Sequence, residues 1–210
     1  MPDASFSDPI LALRDRRIYR VGDHSPTVWL IDDHELGGIL INAPPFSEAT
    51  LAAIRAATTP AYLFLPSHHG AHDLAAWRDA GFEILAFEAE APAVRVAGGV
   101  VDIAFTRKQR LSRTIDFLPM AGVTAGSCAL RLRNLPGVIF FGPVLAPGSD
   151  GWPTLVANPH DHSWEARLFG ALGVKDLKFA YAFCDRFDPD TTRFGPHADA
   201  EIRERLEAMF

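Results

Sequence analysis

Three of the eight histidines fall within five residues, in the stretch Ser67-His68-His69-Gly70-Ala71-His72-Asp73. Imidazole suits zinc or iron, and spacings of two to four residues let neighbouring rings converge on one ion. Histidine also titrates near neutral pH, so the same residues can act as general acid or base without a metal. The plainest reading is that His69 and His72 are hydrogen-bonded into a loop. A second group, His160-Asp161-His162, lies late in the chain. It can reach over a site as a lid, or simply end a loop before a helix cap. His24 and His34 adjoin hairpin turns and are expected to be exposed. Cys184-Asp185 follows a strand, but no activating base is identifiable, so Cys184 and Cys128 are expected to be buried apolar residues.

The histidine stretch is positioned by recognisable elements. Ala61–Leu65 is wholly apolar and short, as a central buried strand is. A polar turn follows, then a helix to about Ala80 with Leu74 and Trp77 on one side, ended by Gly81. Glu83–Phe87 completes a βαβ unit, which puts the histidines at the carboxyl edge of a sheet, where open α/β folds place their sites. Upstream, Ile18–Val21, Thr27–Ile31 and Gly38–Ile41 read as strands, with a hairpin turn at Asp32–Gly37. Ser47 caps a helix through about Ala57, with Glu48 at its positive end. Downstream, Val100–Phe105, Thr114–Leu118, Ser127–Arg133 and Val138–Phe141 lie close enough in sequence to pair antiparallel. Gly142–His162 is a long Gly- and Pro-rich loop. A helix capped by Ser163 runs to about Leu172, Phe179–Cys184 is a strand, and Ala198–Met209 is a closing helix.

The chain has 210 residues, 48% apolar and 22% charged, which fits one globular domain over 1–210. Its net charge of −6 argues against nucleic-acid or anionic-membrane partners. The basic runs Arg14, Arg16, Arg17 and Arg107, Lys108, Arg110 read as solvated faces, with an anion site the less favoured reading. Two cysteines are too few for a disulfide framework, and the first residues, with Asp3 and Ser5, show no basic leader. No apolar run approaches the length of a membrane span. A cytoplasmic protein is expected. A small molecule or a protein is its expected partner, and Met209-Phe210 hints at a contact between copies.

Several of these stretches, in this order, resemble the metallo-β-lactamase superfamily. Its His-x-His-x-Asp-His turn falls on Ser67, His69, Ala71 and His72, matching at two of four ligand positions. Ala121-Gly122-Val123-Thr124-Ala125-Gly126-Ser127 is similar to the family's Pro-Gly-His-Thr-Pro-Gly-Ser, with Val123 where a histidine ligand belongs. Phe140-Phe141-Gly142-Pro143 is similar to Phe-Thr-Gly-Asp, with Pro143 in place of the bridging aspartate. Ile41-Asn42-Ala43 resembles Ile-Asp-Thr, with Asn42 for Asp. His197 falls near a late family histidine.

The resemblance implies an α+β fold of the αββα sandwich type, with two mixed sheets flanked by helices. It also implies a site stripped of donors at Asn42, Ser67, Ala71, Val123 and Pro143. No dinuclear centre is expected. At most one zinc or iron ion would bind, on His69 and His72, with His68, Asp73 or His197 completing the set and His160 and His162 as a lid. Two functions follow from this. One is a catalytically degenerate module that binds or supports. The other is a divergent mononuclear hydrolase of an ester, thioester or lactone-like carbonyl.

Overall fold

Leu63, Phe64 and Leu65 are wholly buried, so the apolar run marked as a central strand is one. The computed structural model describes residues 8–209, and the expectations placed on Asp3, Ser5 and Phe210 lie outside them. Two compact units divide the chain, Met1–Ala86 with Ala91–Ala104 and Phe87–Glu90 with Phe105–Phe210.

In chain order the elements are β1 (Leu11–Ala12), β2 (Arg16–Arg20), β3 (Trp29–Asp33), β4 (Gly37–Ile41), α1 (Glu48–Ala57), β5 (Pro60–Leu65), α2 (Leu74–Asp79), β6 (Glu83–Phe87), α3 (Ala91–Val96) and β7 (Ile103–Phe105). The seven strands form one sheet in sequence order. Its first four strands are antiparallel, and β4–β5 and β5–β6 are parallel, as the βαβ reading requires. Strand β2 starts two residues earlier than apolar patterning suggests. Arg16 and Arg17 stand opposite Asp33 and Asp32 and form ion pairs of 3.3 and 2.7 Å with them, and such cross-strand charge pairs stabilise a ladder that hydropathy does not reveal. The core joins Leu30, Leu40, Leu63 and Ile84 of the sheet to Leu51 and Ile54 of α1, Leu74 and Trp77 of α2, and Val94 of α3. Ser47 caps α1 as expected, accepting from Thr50 N at 3.1 Å.

The second unit continues with β8 (Gln109–Arg110), β9 (Ile115–Pro119), β10 (Cys128–Leu132), β11 (Val138–Phe140), β12 (Ala146–Pro147), β13 (Pro153–Thr154), α4 (Trp164–Leu172), β14 (Tyr181–Phe183) and α5 (Ala198–Glu207). Its five-stranded sheet has the order β14-β11-β10-β9-β8, antiparallel except for β11–β14. Leu118, Ala129, Ile139 and Ala182 enter one core with Trp152, Ala171 of α4, and Ile202 and Leu206 of α5. Ser163 caps α4, accepting from Ala166 N at 3.2 Å.

Other elements also differ from expectation. The strand expected over Val100–Phe105 is shortened to β7 and closes the seven-stranded sheet rather than pairing with β9–β11. The Gly142–His162 segment is not wholly irregular, since β12 and β13 pair within it. The short helix α3 contains Pro92 and carries no capping signal in the sequence, so it was not anticipated. Among the described residues no helix is long and apolar enough to cross a membrane.

Candidate functional site

In the first unit, β5 delivers the chain into a single 3-10 turn, His68–Gly70. Ser67 is wholly buried, and its hydroxyl has no hydrogen-bond partner among the described residues. The half-buried His68 ring stands edge-on to the exposed His69 ring, with centroids 4.6 Å apart. His72 is exposed. Asp73 adopts φ +45°, and its carboxylate accepts from Phe46 N at 2.8 Å, so it ties the turn to the loop before α1. Asn42, at the end of β4, is wholly buried with φ +62°. Its side-chain amide donates to Thr27 O at 2.9 Å. Gly70 is held against it: Ala43 N donates to Gly70 O at 2.8 Å, and a Cβ on Gly70 would lie 2.0 Å from Asn42 Oδ1. Only glycine permits that approach.

His24 departs from expectation. It is half-buried, and its imidazole is pushed to a lower pKa mainly by burial, with Asp23 opposing and Arg20 and His72 acting the same way as burial. The His72 influence, the smallest of these, comes from a residue 48 positions away in the chain.

In the second unit, the Ala121–Ser127 turn is built on Glu90. This buried carboxylate accepts from Thr124 Oγ1 at 2.6 Å and from Gly126 N at 2.7 Å. Val123 sits on the turn with its carbonyl accepting from His162 N at 3.2 Å, and Gly122 O accepts from Ser163 N at 2.9 Å. The His160-Asp161-His162 stretch is therefore fastened to this turn through backbone, with both imidazoles exposed. Asp161 turns inward to Arg167 at 2.7 Å, the two side chains being 4% and 3% exposed. Arg167 also donates to Val144 O and Val156 O, each at 2.8 Å, and to Pro143 O at 3.4 Å. It lies on the buried side of α4, four residues before Ala171, which was the one available signal that this arginine is internal. His197 is exposed at the N-terminus of α5 with φ +74°. Cys128 and Cys184 are buried thiols outside any disulfide, both pushed up chiefly by burial, so neither is a ready nucleophile.

Among the described residues, no group of three or more His, Cys, Asp or Glu stands close enough to hold a metal ion. A dinuclear centre needs several imidazoles and a bridging carboxylate. The residues at the positions where the resemblance implies ligands do not fit one, since Ala71, Val123 and Pro143 carry no side-chain donor and Ser67 and Asn42 are poor neutral ones.

No family model and no curated protein matches the chain. Solved structures do match its fold. A metallo-β-lactamase from Cronobacter sakazakii with an HARLDQ motif is 14% identical and superposes with a TM-score of 0.68, over 99% of this chain and 94% of that one. A metallo-β-lactamase from Pontibacter korlensis is 13% identical with a TM-score of 0.72, over 97% and 99%. The metallo-β-lactamase FIM-1 from Pseudomonas aeruginosa, in its mono-zinc form, is 10% identical with a TM-score of 0.68, over 100% and 98%. With its two mixed sheets and flanking helices, the chain has the metallo-β-lactamase fold.

Proposed function

We propose that this chain is a catalytically degenerate form of that fold, a binding or structural module without a dinuclear metal centre. The observation that carries the reading is what the implied ligand positions do here. Asn42 holds Thr27 O, Val123 O receives His162 N, and Pro143 O faces the Arg167 guanidinium. Asn42 engages its side-chain amide inside the protein, and Val123 and Pro143 meet their neighbours through backbone carbonyls only, with no side-chain donor to offer an ion. The Cronobacter sakazakii neighbour, with HARLDQ in place of His-x-His-x-Asp-His, supports the view that the fold tolerates departures at this turn. It has arginine and glutamine where the motif's second and last histidines stand, whereas this chain keeps His69 and His72 and lacks the first histidine and the aspartate.

Metal analysis of protein purified without chelator tests the reading. Less than stoichiometric zinc and iron is expected, and His69→Ala and His72→Ala are expected to leave that content unchanged. One tightly held ion per chain, lost in both variants, would overturn it in favour of a mononuclear hydrolase.

A further inference from the structure

We propose that the open end of the five-stranded sheet binds the phosphate group of a small molecule between Arg110, Arg131 and Arg133. Arg110 stands opposite Asp116 on β9, and Asp116 stands opposite Arg131 on β10. Directly opposed residues leave a sheet on the same face, so the three form one row. Arg133, two positions beyond Arg131, shares that face. Arg110 Nε lies 3.5 Å and Arg133 Nε 3.7 Å from the Asp116 carboxylate. On this same face, Leu118 and Ala129 are opposed in the register and belong to the core under the helices. The arginine row therefore lies where the covered face gives way to open sheet.

The charges do not balance locally. Arg110 and Arg133 flank the Asp116 carboxylate, and Arg131 stands opposite it in the register while donating one Nη2 hydrogen bond to Lys178 O at 3.1 Å, in a chain whose net charge is −6. The Asp116 side chain is 2% exposed, while those of Arg110 and Arg133 are 63% and 38% exposed. The cations thus form an outer layer over the buried anion. Asp116 Oδ1 accepts no hydrogen bond among the described residues, and Arg110 reaches it only at ion-pair distance. Arg131 is held below the ordinary arginine range by burial first, with Asp116 opposing and Arg133 adding a smaller effect in the same direction as burial. A neighbouring anion favours the charged guanidinium. Arg107, Lys108 and Arg113 flank the row, exposed and without a side-chain partner among the described residues.

Planar guanidinium donors match phosphate oxygens bidentately, which makes a phosphate group the fitting ligand. The acidic remainder of the chain disfavours an extended polyanion, so the ligand is small.

Titration of the whole chain with inorganic phosphate and with pyrophosphate, followed by calorimetry, tests this. Saturable binding of one anion per chain is expected, weakening as salt is raised. Arg110→Gln/Arg133→Gln is expected to lower affinity about tenfold or more. Arg14→Gln/Arg95→Gln, which removes the same charge elsewhere, is expected to leave it unchanged. Circular dichroism verifies that both variants fold, and their altered residues are exposed. Absence of saturation, equal weakening in the two variants, or binding confined to duplex DNA or anionic vesicles would overturn the proposal.

Discussion

Asp161 and Arg167 form an ion pair of 2.7 Å with both side chains at least 96% buried. A buried pair is weak evidence for net stability, but breaking one strands a charge without solvent. Asp161→Ala is expected to destabilise the protein by about 3–5 kcal/mol. Urea unfolding measures this, and Asp161→Ala/Arg167→Ala should cost less than the two single losses combined. Limited proteolysis should show new cleavage between Pro143 and His162 in Asp161→Ala, because Arg167 ties together the Pro143 and Val156 carbonyls and the Asp161 carboxylate of that segment.

Restoring an acid at the end of β4 should not restore a metal site. In Asn42→Asp, a carboxylate replaces the amide that donates to Thr27 O at 2.9 Å, leaving two acceptors face to face in a buried setting. A loss of about 1–3 kcal/mol is expected, read from the denaturation midpoint, with zinc content unchanged. A gain of bound zinc would contradict the structural role assigned to Asn42.

Glu90 anchors the Ala121–Ser127 turn through two short hydrogen bonds. Glu90→Ala leaves the Thr124 hydroxyl and Gly126 N without that acceptor, and about 2–4 kcal/mol of stability should be lost. Glu90→Gln keeps one carbonyl acceptor and should cost less. Amide exchange at Gly126 reports the difference, and equal protection in both variants would remove Glu90 from this role.

The two buried thiols give a pH dependence whose sign is fixed. Both are raised, so each keeps its proton in the fold to higher pH than in the unfolded chain. Above roughly pH 8.5 the unfolded chain releases these protons while the native chain retains them, so stability falls as pH rises. The slope is at most about 1.4 kcal/mol per pH unit for each thiol, and the contribution is intact below that pH. Cys128→Ala/Cys184→Ala should flatten the alkaline limb. Alkylation of the native protein at pH 8 should be slow until denaturant is added.

Much of the fold was legible because its signals are local. The β5 apolar run, the Ser47 and Ser163 caps, and the turn at Gly81 each act within a few residues. Elements that only a pairing partner defines are less legible: β8 is two polar residues with meaning only against β9, and the start of β2 only against Asp32 and Asp33. The histidine turn was placed correctly at the end of a strand, yet its surroundings were not readable. The exposure expected for His24 does not hold, because that ring is half-buried by the fold.

The sequence by itself determined which donors exist. No folding can turn Ala71, Val123 or Pro143 into ligands, since side-chain chemistry is fixed by residue type. Only the tertiary structure decided where the remaining charges went. It buried Arg167 against Asp161, set Glu90 beneath a turn more than thirty residues away, and drew Arg110 and Arg133 to Asp116. The physical reason is that buried charges must find partners, and strand register and helix docking choose those partners across distances that local sequence does not encode.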